Sequence, residues 1–174
     1  MSRKSRKKLN KLADLPNDSL ICADANILAY HFNKTPEYTE ISAKFLERSA
    51  NGEITILTSP QIVSNVVHRS MLAEAQRDFG LDNKNLANHL KTHPEIVRQL
   101  KEHLDVPSSL ARFRVHMLPL NHIHHHAAKF FRSEYGIMAN DSLLLGFMRV
   151  EKVRHLATND RDFRQVKGIM VWEP

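Results

Sequence analysis

Cysteine is almost missing: one residue, Cys22, in a chain of 174. A lone cysteine excludes an internal disulfide framework and any cysteine-clustered zinc site, and it fits a reducing cytoplasm. Glycine is scarce as well. The five present form neither a GxGxxG nor a P-loop spacing, so neither of those phosphate cradles is available. No segment approaches the ~18 uninterrupted apolar residues of a membrane-spanning helix, which excludes an integral helical membrane protein. The basic opening MSRKSRKKLNKLADLPND is not followed by an apolar segment, so it is not a secretory signal. What is present, 42% hydrophobic and 25% charged residues, suits one domain with a sizeable core.

Positive charge is unevenly spread. Of the 25 Lys and Arg, six (Arg3, Lys4, Arg6, Lys7, Lys8, Lys11) fall in residues 1–12, where there is no acid. Setting those aside leaves 19 bases against 19 acids, so the net +6 belongs to the N-terminal stretch and the rest is neutral. The sequence therefore predicts a flexible basic arm over residues 1–18, suited to weak phosphate attraction, and a domain over 19–174. The eleven His can add further charge below about pH 6.5.

Apolar, β-branched runs at 19–23, 54–58, 115–120, 153–158 and 169–172 read as strands. Between them lie helical patterns. One is opened by Asn26, one has Pro36 in its first turn and ends at Gly52, and one is capped by Ser59 and begun by Pro60. Asp82 and Pro94 read as further helix starts, with Ile96, Val97, Leu100 and Leu104 on one face. Asn121 caps a helix with Ile123, Ala127, Phe130 and Phe131 inward, stopped by Gly136, and Asn140 caps an apolar helix over 141–150. The alternation predicts an α/β fold, a single three-layer domain with a parallel sheet of four to five strands and helices on both faces.

In such sheets ligands sit beyond the carboxyl ends of the strands, near a switch point. Asp24 stands at the exit of the first strand, Asp160 and Asp162 follow the exit of 153–158, and Asp141 is in the first turn of the buried helix. Carboxylates converging there repel one another unless a cation neutralises them, and hard oxygen donors without cysteine suit Mg²⁺ or Mn²⁺. Taken singly, each acid also reads as a turn residue or a helix-dipole partner.

Four segments resemble the PIN domain family: ICADANILAY, TSPQIVSNVVHRS, NDSLLLGFM and LATNDRDF. They occur in the family's order and span residues 20–163. The resemblance implies a metal-dependent ribonuclease, commonly a VapC-type toxin when a stand-alone chain has this size. It further implies an RNA substrate cut by in-line attack to leave a 5′-phosphate and a 3′-hydroxyl, a cognate antitoxin protein and a homodimer. By position, Asp24, Asp141 and Asp160 match the catalytic, metal-binding acids and Asp162 a frequent additional one. Asn26 and Thr158 match residues that orient the carboxylates. The second segment departs from the pattern, because Asn65 stands where the family has Glu. Two readings stay open: an active Mg²⁺- or Mn²⁺-dependent ribonuclease, or a PIN fold that binds RNA or protein without cutting. A nucleotide-binding protein of another doubly wound fold would need the glycine-rich loop that is absent.

Other signals are read as structural. His122 and His126 are one helical turn apart and could share a metal, but a solvated face opposite Ile123, Ala127 and Phe130 explains them. Pro94 removes His93 from helical register with His89. His68, near Asn65, is expected to cover its helix, while Cys22 and Trp172 are expected in the core.

Overall fold

The computed structural model describes residues 10–82 and 84–174. In chain order the elements are β1 (Asn10–Lys11), β2 (Leu20–Ala23), α1 (Ala25–Phe32), α2 (Thr39–Ala50), β3 (Thr55–Thr58), α3 (Pro60–Phe79), α4 (Leu86–Thr92) and α5 (Pro94–Val97). These are followed by α6 (Val106–Arg112), β4 (His116–Met117), α7 (His122–Tyr135), α8 (Ala139–Val150), β5 (His155–Ala157) and β6 (Met170–Glu173). All the strands are parallel, in the order β1-β6-β5-β2-β3-β4. From β2 the chain steps outward to β3 and β4, then returns to the other side of β2 for β5 and β6. The direction reverses between β2 and β5, which makes their exits a switch point. Ile21, Cys22, Ala23, Leu156 and Ala157, on the two central strands, are fully buried, as is Phe147 of α8.

The sheet has six strands, one more than the upper limit read from the sequence. The extra strand, β1, is two polar residues long and carries no hydrophobic signal. It is held by pairing Asn10 with Trp172 and Lys11 with Glu173. Leu12 and Leu15 behind it are buried in the main core. An arm reaching to residue 18 is thus corrected: residues 10–15 belong to the fold, and the expectation for residues 1–9 lies outside the described residues.

Sequence signals placed three helix starts correctly, at Ser59-Pro60, Pro94 and Asn121. The Ser59 hydroxyl accepts from Ile62 N with Pro60 in the first turn, and α7 runs from its Asn121 cap to Gly136 in the left-handed region. Four starts differ. Asp24, two residues before Asn26, caps α1; α2 begins at Thr39, beyond Pro36; α4 begins at Leu86 rather than near Asp82; and Met138, not Asn140, precedes α8. The inward face of α7 is also shifted by one residue: His124, Ala128 and Phe131 are buried, whereas Ile123 and Phe130 are exposed. The cause is polar. His124 Nδ1 accepts from Asn121 N at 3.0 Å, closing a capping box, and its Nε2 faces Glu151 Oε1 at 3.0 Å. With both nitrogens satisfied, the imidazole can be buried.

Residues 74–105 form a helical annex. Ala75, Leu86, Leu90 and Leu100 make its small core, and buried Glu74 accepts from Lys101 N at 2.7 Å and Glu102 N at 3.0 Å. Leu104, expected on the apolar face, is exposed, because the helix begun at Pro94 ends at Val97.

Candidate metal centre

The switch point between β2 and β5 positions the acids. Asp24 leaves β2, and its backbone N–H donates to Ala157 O of β5 at 3.0 Å, joining the two strand exits. Its carboxylate is held by three donors: Ala25 N at 2.6 Å, Asn26 Nδ2 at 2.8 Å and Thr158 Oγ1 at 2.8 Å. Fully buried Thr158 also accepts from Asp160 N at 3.1 Å and from Asn26 Nδ2 at 3.1 Å, so one hydroxyl ties both strand ends together. Asp160 caps the turn that follows β5, its Oδ1 accepting from Asp162 N at 2.8 Å. Asp162 itself is exposed.

Asp141 comes from the first turn of α8, on the other side of the crevice. Together with Asp24 it lines a pocket of about 20 Å³, shared with Ser59, Gln61, Asn65 and Asn140. That is room for about one water or one ion. Burial and the carboxylates of Asp24, Asp160 and Asp162 push the Asp141 carboxyl above its ordinary value. Burial likewise raises Asp24, against the hydrogen bonds from Thr158 and Ala25 that favour its charged form. Asp141 is therefore within electrostatic reach of the other three acids named from the sequence.

Among the described residues, no three His, Cys, Asp or Glu side chains stand together as a ready-made metal cage. The donor chemistry still fits a hard divalent cation. The pocket offers two carboxylates and amide oxygens, and Mg²⁺ in particular is held by one or two carboxylates while keeping several waters. Asn65 does line the pocket, and its Oδ1 accepts from Gln61 Nε2 at 3.3 Å.

Arg69 was not singled out from the sequence. It lies one turn beyond Asn65 on α3, and its positive charge lowers the carboxyls of both Asp24 and Asp141. The four-residue step from Asn65, on a helix whose start at Pro60 was legible, is the signal that could have found it. His68 is exposed, as expected of a residue covering its helix. Cys22 is fully buried, and burial pushes its thiol far up, which suits a core residue and not a nucleophile.

The family model for the PIN domain matches residues 21–169. The chain belongs to the PIN domain family. It is similar to Ribonuclease VapC2 of Methanocaldococcus jannaschii, 26% identical over 156 residues that cover 90% of this chain and 95% of that protein. The fold resembles that of a chain in the crystal structure of VapBC2 from Rickettsia felis bound to a DNA fragment from their promoter. That match has a TM-score of 0.55 and 17% identity, and covers 88% of this chain and 98% of the other. A toxin–antitoxin complex from Klebsiella pneumoniae aligns with a TM-score of 0.49 and 13% identity, over 87% and 95% of the two chains. Among the described residues, no helix is long and apolar enough to cross a membrane.

Proposed function

We propose that this chain is a divalent-metal-dependent endoribonuclease, with Mg²⁺ or Mn²⁺ as cofactor, and the toxin of a type II toxin–antitoxin pair. The observation that carries the reading is the meeting of Asp24 and Asp141 in one pocket at the switch point, with Asp160 close enough to raise both of their carboxyls. The name of the archaeal relative, a ribonuclease, supports RNA as substrate. The structural neighbour from Rickettsia felis, a chain of a VapBC2 complex, agrees with a protein antitoxin as partner. A homodimer and a cytoplasmic location complete the proposal.

Asp24, Asp141 and Asp160 would hold the ion, with Asp162 further out and Asn65 offering an amide oxygen. When bound, a divalent ion would acidify a water and offset the charge that builds on the phosphate. The side chains divide the remaining work. Three donors occupy three of the ~four lone-pair sites of Asp24, fixing its orientation and leaving about one for a ligand. Asp141 carries no such restraint from a described residue and can adjust to the ion. Asn26 and Thr158 keep the two strand exits in register. Arg69 is placed to attract a phosphate into an otherwise negative crevice.

The test is cleavage of a structured RNA by the full chain in Mg²⁺ or Mn²⁺, against EDTA and against Asp24→Asn. Cleavage that EDTA and Asp24→Asn both abolish is expected; cleavage indifferent to both overturns the reading. Asn65 favours a second reading, a PIN fold that binds RNA or a protein without cutting. That reading takes over if RNA is bound but stays intact even with Asn65→Glu.

A further inference from the structure

At the opposite edge of the sheet, where β5 and β6 begin, lies a groove of about 500 Å³. Its rim carries Arg149, Lys152, Arg154 and Lys167, all exposed, and no acid lines it. Among the described residues, no carboxylate comes within ion-pair distance of any of the four. Arg149 and Lys152 stand at the carboxyl end of α8, where the helix dipole favours cations in any protein. Arg154 and Lys167 have no such reason: each precedes a strand, from two separate turns. A neutral domain has thus concentrated four unpaired cations in one concavity.

We propose that this groove is a binding site for single-stranded RNA, separate from the acidic crevice; the proposal rests on the reading that the chain acts on RNA. The crevice gathers four carboxylates against one guanidinium, so it repels a polyanion. Affinity must then come from cations placed elsewhere along the same strand of RNA. Arg154 and Asp160 bracket β5, so the two sites are at most ~20 Å apart along an extended strand, a span that a few nucleotides bridge. The Arg149 guanidinium carbon lies over the exposed Phe130 ring, 4.9 Å from its centroid. A base can stack on the outer face of such a guanidinium while lysines contact the flanking phosphates. An acidic amphipathic peptide is the other chemistry the rim admits. It would use the Phe130 face as an apolar anchor, and Arg149 already covers that face.

Binding of fluorescein-labelled 15-residue oligouridylate to the full chain, followed by anisotropy in EDTA, tests this without any cleavage. The triple variant Lys152→Gln, Arg154→Gln, Lys167→Gln should weaken binding at least tenfold at low salt. The slope of log affinity against log salt should fall by about 2, at ~0.7 per phosphate contact. Asp24→Asn should bind at least as well as the natural chain, so a failed catalytic assignment leaves this result distinct. Single charge reversals, Lys152→Glu and Lys167→Glu, guard against a triple variant that does not fold, and each should lower affinity several-fold. Unchanged affinity and slope in all three overturn the proposal. Unchanged RNA binding with loss of binding to a Leu- and Glu-rich helical peptide overturns it in favour of a protein partner.

Discussion

Asn65 sets the charge of the pocket. A glutamate there would give an ion a third nearby carboxylate. One charge moved close to a cation in a partly desolvated crevice is worth ~1–3 kcal/mol, roughly tenfold to a hundredfold in affinity. Arg69, one turn on, would compete for that new carboxylate, because Glu and Arg at this helical spacing attract each other by ~0.3–0.5 kcal/mol. Asn65→Glu is therefore expected to tighten Mn²⁺ binding towards the lower end of the range, and Asn65→Glu with Arg69→Gln more strongly, as measured by calorimetric titration. No change in either variant would mean that position 65 does not face the ion. Asp141 makes the complementary case. Its carboxyl is held above the ordinary 3.8 by burial and by neighbouring carboxylates, so at neutral pH the metal-free fold carries an unfavourable charge. As pH falls through that raised value the folded state takes up the proton first and gains stability, until the unfolded chain is protonated as well. Asp141→Asn should thus melt higher than the natural chain at pH 7 without metal, and the difference should shrink towards zero as pH approaches 4. A gap independent of pH would place its cause outside this ionisation. Asp24, Asp141 and Asn65, which line the pocket, were legible because strand exits and helix starts are local patterns. Arg69 was not, because a long, exposed cation announces nothing until the opposite wall of the crevice is in place.

Among the elements, α7 and α8 pack most closely, and one residue permits it. A Cβ on Gly146 would stand 2.8 Å from Ala128 N and 3.1 Å from Ala128 Cα, and closer still to His124 O, all backbone atoms that cannot swing aside. Gly146→Ala gains helix propensity of up to ~1 kcal/mol, but forcing the two backbones apart costs ~1–3 kcal/mol or more. The melting temperature should fall by several degrees, at ~2–4 °C per kcal/mol for a chain of this size. A rise would show that the helices separate without cost. Helix boundaries were legible where a side chain announces them, as at Ser59-Pro60 and at Asn121 with Gly136. They were misread at Asn140, where the helix begins two residues earlier than expected, at Ala139, without a side-chain cap. The α7 face was misread for a different reason: hydropathy ranks His124 as polar and Ile123 as apolar, whereas the capping box and Glu151 satisfy the histidine and send the isoleucine outward. Five strands were legible from β-branched runs. β1 was not, since two residues at an edge draw their order from Trp172 and Glu173, some 160 positions away.

Across the whole molecule, charge is laid out in three regions: an acidic crevice at one edge of the sheet, a basic groove at the other, and five bases within residues 1–9. Residues 1–9 and the three that follow can be separated experimentally because β1 and Leu12 are part of the fold. Deleting residues 1–12 would remove the pairing of β1 with β6, the Asn10 Nδ2 to Val171 O bond of 3.2 Å and the burial of Leu12, itself worth ~1.5–3 kcal/mol. A loss of RNA binding in that variant would be confounded by lost stability. Deleting residues 1–9 instead removes Arg3, Lys4, Arg6, Lys7 and Lys8 and leaves those contacts of residues 10–12 intact, so RNA binding is read without their loss. If the five bases contact phosphates, the slope of log affinity against log salt should fall by up to ~3.5, at ~0.7 per contact on single-stranded RNA. If the groove holds different phosphates from the same strand, that loss should add to the loss caused by Lys152→Gln, Arg154→Gln, Lys167→Gln, since sites without shared partners contribute independently. A combined variant no worse than either alone would mean that both sets serve the same phosphates. An unchanged slope on deleting residues 1–9 would leave all of the RNA affinity to the folded domain.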